Sequence, residues 1–167
     1  MPYTFMDVVL VGVFLLGIFA GTGQGMVRQV FSLLGLILGV VLASRYYLAL
    51  SDYLSWVGSP DGAKLLTFVV ITLALLAVGN YVGALVHRAL GYMKLGCVDW
   101  LGGGVIGAVE TLFFVDIALI LALRYPVLGL PQIIQEARIP PIVFKLAPAL
   151  LAFLPPEFDT VKKFLQQ

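Results

Sequence analysis

Two carboxylates, Glu110 and Asp116, interrupt the otherwise apolar run Trp100–Leu123. A lipid-facing carboxylate at the centre of a bilayer-spanning helix costs about 2.5–3.5 kcal/mol on insertion scales. Both are therefore expected to face protein or a wet cavity. Gly103, Gly107 and Glu110 follow one another at spacings of four and three, which puts Glu110 on the packed face of a helix. Asp116 comes six residues later, about 120° around the helix at about 100° per residue, so the two acids need not share a site. Asn80 is the one strongly polar residue of another uncharged run, Leu65–Val86. Two readings of this possible intramembrane polar site stand side by side. In the first, Glu110 is protonated or bonds Asn80, Thr72 or Thr67, and locks the helices together. In the second it is part of a proton or cation relay.

Other chemistries find little support. Gly21-Thr22-Gly23-Gln24-Gly25 is rich in glycine, but it has neither the Gly-x-Gly-x-x-Gly spacing of a dinucleotide loop nor the Gly-Lys-Ser/Thr of a P-loop. There is no Gly-x-Ser-x-Gly, no His-Glu-x-x-His and no second histidine beside His87, so no catalytic residue, metal ligand or cofactor is assigned. The spacing of Asp7, Asp99, Glu110 and Asp116 does not demand a metal. His87 lies beside Arg88 and near Lys94 and reads as a solvated helix end. Cys97 has no partner for an internal disulfide and reads as a small residue where a helix begins. A net charge of +1 gives no basic surface for nucleic acid.

The elements that must carry these residues are membrane helices. Of 167 residues, 61% are apolar and 11% charged, where a soluble domain carries roughly 25% charge. Mean hydropathy is +1.06. About 20 apolar residues cross a bilayer, and four stretches qualify, giving helices over about 7–25, 28–47, 65–87 and 100–124. The expected fold is a compact all-α bundle of four transmembrane helices over residues 1–125. Residues 126–167 follow as an amphipathic, proline-rich tail at the membrane surface.

Asp7 suits the first turn of the first helix, and Asp99 the N-cap of the fourth. Arg28 and Arg45 enclose 16 residues of the second helix and can snorkel to the headgroups, with Tyr46 and Tyr47 as an interfacial end. The segment from Leu50 to Lys64, with Asp52, Gly58, Pro60 and Gly62, reads as the main loop of the front half, with room for one helical turn around Tyr53 and Trp56.

Small residues recur four apart on every helix: Gly17, Gly21 and Gly25; Gly35, Gly39 and Ala43; Gly79 and Gly83; Gly103 and Gly107. Such stripes let helix backbones approach closely. For the first two helices, joined through the glycines, they predict a tight transmembrane hairpin. Packing within one chain and self-association both remain open from spacing alone. The expected partners are the lipid bilayer and other membrane proteins or further copies.

The amino terminus carries no Lys or Arg before the first apolar run, which argues for a retained helix over a signal peptide. The positive-inside count ties, with Arg28, Arg88 and Lys94 on one side against Arg45, Lys64 and Arg124 on the other.

Two segments resemble the colicin V production protein family of bacterial inner-membrane proteins. The first is Met6-Asp7-Val8-Val9-Leu10, leading to Gly25-Met26-Val27-Arg28-Gln29-Val30-Phe31-Ser32 and Ala43-Ser44-Arg45-Tyr46-Tyr47. The second is Leu95-Gly96-Cys97-Val98-Asp99-Trp100-Leu101-Gly102-Gly103, with Gly107 beyond. Asp7, Gly25, Arg28, Asp99 and Gly103 carry the match. Gln24, Gln29 and Glu110 depart from it: the family often has a basic residue at the first position, Glu at the second, and a basic or neutral residue at the third. The resemblance implies a multi-pass, non-enzymatic protein tied to toxin production or export and to envelope homeostasis. A small channel or transporter component using the helix-4 acids is the alternative. Relatives with a periplasmic domain after the fourth helix imply that both termini lie outside the cytoplasm.

The tail is expected not to cross the membrane. Its apolar piece Ile142–Leu154 has 13 residues and is broken by Pro148. Gln135→Cys and Gln166→Cys, each in a Cys97→Ser background, should react with a membrane-impermeant thiol reagent from the same side. Reaction from opposite sides would reveal a fifth crossing.

Overall fold

The computed structural model describes residues 5–57, 59–90, 96–124 and 139–144. These form helices α1 (Phe5–Gln24), α2 (Met26–Ser51), α3 (Pro60–Leu90), α4 (Gly96–Arg124) and a short α5 (Ile139–Phe144), with one 3-10 helix, Asp52–Val57, between α2 and α3. The described residues contain no strand. Helices α1 to α4 are each long and apolar enough to cross a membrane. Their outward faces carry side chains such as Phe5, Leu16, Phe19 and Tyr81. In water this surface would drive aggregation; in lipid it is matched to its solvent. The expected tail segments around Gln132–Arg138 and Phe158–Leu165 lie outside the described residues.

The loop expected over Leu50–Lys64 is largely helical. α2 runs on to Ser51, and the 3-10 turn holds Tyr53 and Trp56. Ser59 caps α3, its Oγ accepting from Gly62 N at 3.1 Å, and Pro60 takes the first helical position, where a missing N–H does no harm. The proline that reads as a breaker is thus a helix start. Tyr47 is buried within the bundle and meets Phe68 edge-on, ring centroids 6.4 Å apart, while Tyr46 beside it is exposed.

The expected α1–α2 hairpin does not form as a packed pair. α1 lies along α4 and α2 along α3, while α1 and α2 barely touch. The order across the bundle is α1, α4, α2, α3, and α4 and α2 make the joint between the two pairs. The glycines show why. Gly21 rests on the backbone of Gly103 and Gly107, and a Cβ on Gly107 would stand 2.6 Å from the Gly17 carbonyl oxygen. In the other pair, a Cβ on Gly35 would stand 2.6 Å from Leu75 O, and one on Gly79 2.5 Å from Phe31 O. Gly39 faces Thr72, and Gly83 faces Arg28. Each stripe fits a helix that is antiparallel to its own but is not joined to it through the Gly25 turn. Two apolar clusters fill the remaining interfaces. Leu36, Val40, Ala43, Tyr47, Phe68 and Ile117 join α2, α3 and α4. Leu10, Val115, Leu119, Ile120 and Val143 join α1, α4 and α5.

These contacts separate two kinds of glycine. Gly79→Ala forces backbone apart and should destabilise the protein by about 2 kcal/mol, the scale of overpacking. Gly12 has nothing within 4 Å of an added Cβ. Gly12→Ala should be neutral or stabilising by up to about 1 kcal/mol, from helix propensity alone. Thermal unfolding of both variants in the same detergent checks the contrast; equal effects would contradict the close approach.

Candidate functional site: a polar cleft between α1, α2 and α4

The turn between α1 and α2 sets the site. Gly25 has φ 81°, a conformation that glycine adopts without strain. It gives α2 no side-chain cap of its own. The cap comes from a distant residue: Asp99 Oδ1 accepts from Met26 N at 2.8 Å. Asp99 is therefore not the N-cap of its own helix. α4 begins at Gly96, so Asp99 stands in its first turn and closes the start of α2 instead. The carboxylate also suits the positive end of the α2 dipole. His87 lies against the same glycine.

At the other end of α1, Asp7 plays a matching part. It stands in the first turn of α1, is almost fully buried, and accepts from Ile139 N at 2.9 Å. Of the first three residues of α5, Ile139-Pro140-Pro141, only Ile139 has an N–H to be satisfied.

Between these ends lies a chain of side-chain hydrogen bonds. Arg28 Nε donates to Asn80 Oδ1 at 2.8 Å, and Asn80 Nδ2 donates to Ser32 Oγ at 2.9 Å. Ser32 Oγ donates to Glu110 Oε1 at 2.7 Å, and Gln29 Nε2 donates to Glu110 Oε2. The series ties α3 to α2 and α2 to α4. Ser32 is the hinge of it, accepting on one side and donating on the other, and it is 1% exposed. Sequence reasoning singled out Glu110, Asn80 and Arg28 but gave Ser32 and Gln29 no part in a polar site. Their spacing of three on one helix face was the available signal. Thr67 and Thr72, offered as partners of Glu110, bond the carbonyls of Ala63 and Phe68 in their own helix at 2.7 and 2.9 Å.

Glu110 opens onto a cleft of about 310 Å³. Val13, Leu16, Gly17, Ala20 and Gln24 of α1 form one wall, Gln29 and Ser32 of α2 another, with Asn80, Thr111 and Phe114 completing the lining. Asp116 is not among the lining residues. It is 2% exposed, and its Oδ1 has no hydrogen-bond partner among the described residues. The four acids are thus dispersed: Asp7 at α5, Asp99 at α2, Glu110 in the cleft and Asp116 buried apart. Among the described residues no three His, Cys, Asp or Glu side chains gather into a metal cluster.

Comparison with known proteins bears on this architecture. The family model described as "Colicin V production protein" matches residues 6–148, which include α2 to α5, all of α1 but Phe5, and every residue of the cleft. The chain belongs to the colicin V production protein family. A transmembrane protein of Bacillus subtilis strain 168, YshB, described as uncharacterized, is 20% identical over 167 aligned positions, covering 89% of this chain and 94% of that protein. No solved structure matches. The chain is a multi-pass membrane protein of this bacterial family, and lipid is its surroundings.

The hydrogen-bond series has a measurable coupling. Interhelical hydrogen bonds in membranes average about 0.6 kcal/mol in double-mutant cycles, with a maximum near about 1.7. Ser32→Ala and Asn80→Ala should each destabilise the bundle. Combined, they should fall short of additivity by about 0.6 kcal/mol in detergent unfolding. Strict additivity would mean that the two side chains do not interact.

Proposed function

We propose that this chain is a non-enzymatic subunit of the bacterial inner membrane that assists toxin production or export, or envelope homeostasis, by presenting its helical bundle to other membrane proteins. The use of its acids supports this reading. Asp99 holds the start of α2, Asp7 the start of α5, and Glu110 holds α4 to α2. Each of these three carboxylates makes a hydrogen bond that joins two elements, and among the described residues none sits in a metal cluster. The family description points to toxin production as the setting in which such a subunit works.

A second reading is favoured by one observation, the cleft that brings Glu110, Gln24 and Gln29 together beside α1. In that reading the chain is a small conduit or transporter component for protons, ions or a small solute.

One pair of measurements separates them. Crosslinking in intact membranes, purification in mild detergent and mass identification should recover a membrane protein in fixed ratio to this chain. The purified chain alone in liposomes should pass neither protons nor small cations. Flux through the chain alone, stopped by Glu110→Gln in a folded variant, would overturn the subunit reading and establish the conduit.

A further inference from the structure

Arg28 turns inward, although an arginine at a helix end has headgroups and water to turn to. It stands in the first turn of α2, and its backbone lies against Gly83 of α3. From Gly83, α3 runs outward to His87 and Arg88 in its last turn. The Arg28 side chain goes the other way. Its Nε donates to Asn80, three residues back from Gly83 and so about 4.5 Å further into the span at about 1.5 Å per residue. A guanidinium is always charged, and a charge drawn into the bilayer needs compensation there.

The hydrogen bonds beyond Asn80 lead to that compensation. A guanidinium can only donate, so the Asn80 atom that meets it is the carbonyl oxygen. The amide nitrogen of Asn80 then faces Ser32, and it too can only donate. Ser32 Oγ therefore accepts from Asn80, and its own hydrogen is left for Glu110 Oε1 at 2.7 Å. Every step runs the same way, from a fixed positive charge to a carboxyl group. Gln29 Nε2 brings a second donor to the other oxygen of Glu110.

No other charge serves either end. Among the described residues the ion pair is Lys64–Asp61, in the first turn of α3, and neither Arg28 nor Glu110 joins a direct one. The cleft residues of α1 and α2 around Glu110 are all uncharged. Asp99 and His87 lie against Gly25, and Asp99 Oδ1 is engaged with Met26 N. A proton on Glu110 would remove the negative charge and, with it, the reason for Arg28 to face inward.

We propose that Arg28 is the counter-charge of Glu110, joined to it through Asn80 and Ser32, and that it keeps Glu110 ionised within the membrane. Aligned amide and hydroxyl dipoles carry the interaction, and a low dielectric lets it act over a distance that water would screen. Arg28 is a positioning residue: it fixes the orientation of Asn80 and so the direction of the series. The state of a carboxyl group deep in the span is thereby set from the end of the bundle where α2 begins. The inference holds for a scaffold and for a conduit alike, so its failure leaves the subunit reading intact.

Infrared absorption of the full chain in lipid nanodiscs at neutral pH tests this. A protonated carboxyl group and a carboxylate absorb in separate regions. Subtracting the spectrum of the same chain carrying Glu110→Gln isolates the signal of this one group. Wild type should show carboxylate alone. Arg28→Met should convert it to the protonated form, one group per chain. Asn80→Leu cuts the series while leaving Arg28 in place, and it should do the same. Arg28→Lys keeps a positive donor and should retain the carboxylate. A protonated Glu110 in wild type would overturn the proposal, and that result needs no variant of Arg28 or Asn80 to fold. So would a carboxylate that persists in Arg28→Met or Asn80→Leu, or a conversion as complete in Arg28→Lys as in Arg28→Met.

Discussion

Backbone-to-backbone approach at two glycine seams is the constraint on which the rest of this protein depends. Lipid tails are as apolar as leucine, so hydrophobicity alone gives helices in a bilayer no reason to associate. Contact has to come from fit. Along α1 and α4 the fit is Gly17, Gly21 and Gly25 against Gly103, Gly107 and the Thr111 side chain; along α2 and α3 it is Gly35 and Gly39 against Thr72, Leu75 and Gly79. At these points carbonyl oxygens of one helix occupy the space where Cβ atoms of the other would stand. The seams fix two rigid pairs, and everything polar is arranged where the pairs meet or where their ends need closing.

The joint between the pairs uses different physics along its length. Toward the Ser51 end of α2 it is an apolar cluster, with Leu36, Val40 and Ile117 almost without exposure. Toward the Gly25 turn it is the series Arg28–Asn80–Ser32–Glu110–Gln29. Apolar packing demands fit with little directional preference, whereas hydrogen bonds also demand direction. The series therefore sets the register of α4 on α2, and it reaches α3 through Asn80, a residue on the seam side of that helix next to Gly79. The acids at the helix starts act in the same way: Asp99 and Asp7 each stand in the first turn of one helix and close the first turn of another. In a bilayer or at its edge, an unpaired N–H is expensive, so a carboxylate that finds one fixes the relative position of two helices.

Much of this was legible in the sequence, and most of the failures share one cause. Uncharged runs of membrane length marked α1 to α4, because length and composition decide that question without reference to partners. Stripes of glycine marked the flat side of each helix. They did not say which helix would lie on it, and adjacency in the chain suggested the wrong pairing of α1 with α2. The same gap between position and partner explains Asp99, whose place suits an N-cap but whose carboxylate serves α2, and Glu110, whose donors were sought on α3 and lie on α2. Ser59-Pro60 is a different failure. Serine as cap and proline at the first helical position form a start signal that stands in the sequence, obscured there by reading proline and glycine only as breakers.

The cleft follows from the seams. α1 and α2 are tied together at Gly25, where the chain reverses and Asp99 clamps the first N–H of α2. From that point each helix is drawn onto a different partner, α1 onto α4 and α2 onto α3. With α4 seated between them, the two helices joined at Gly25 make few contacts with each other, and a wedge opens between them. α4 contributes to the lining of this wedge, and Glu110 stands on the part of α4 that faces α2, close to the Thr111 contact with Gly17. The polar lining is thus a consequence of the fold as well as a feature of it. A wedge within the membrane lined only by Leu and Phe would fill with lipid chain or close. This one also carries Gln24, Gln29 and Glu110 among Val13, Leu16 and Phe114, so a lipid chain entering it would meet polar groups that it cannot pair with, while the bonds of Glu110 to Ser32 and Gln29 keep the two glycine-seamed pairs joined.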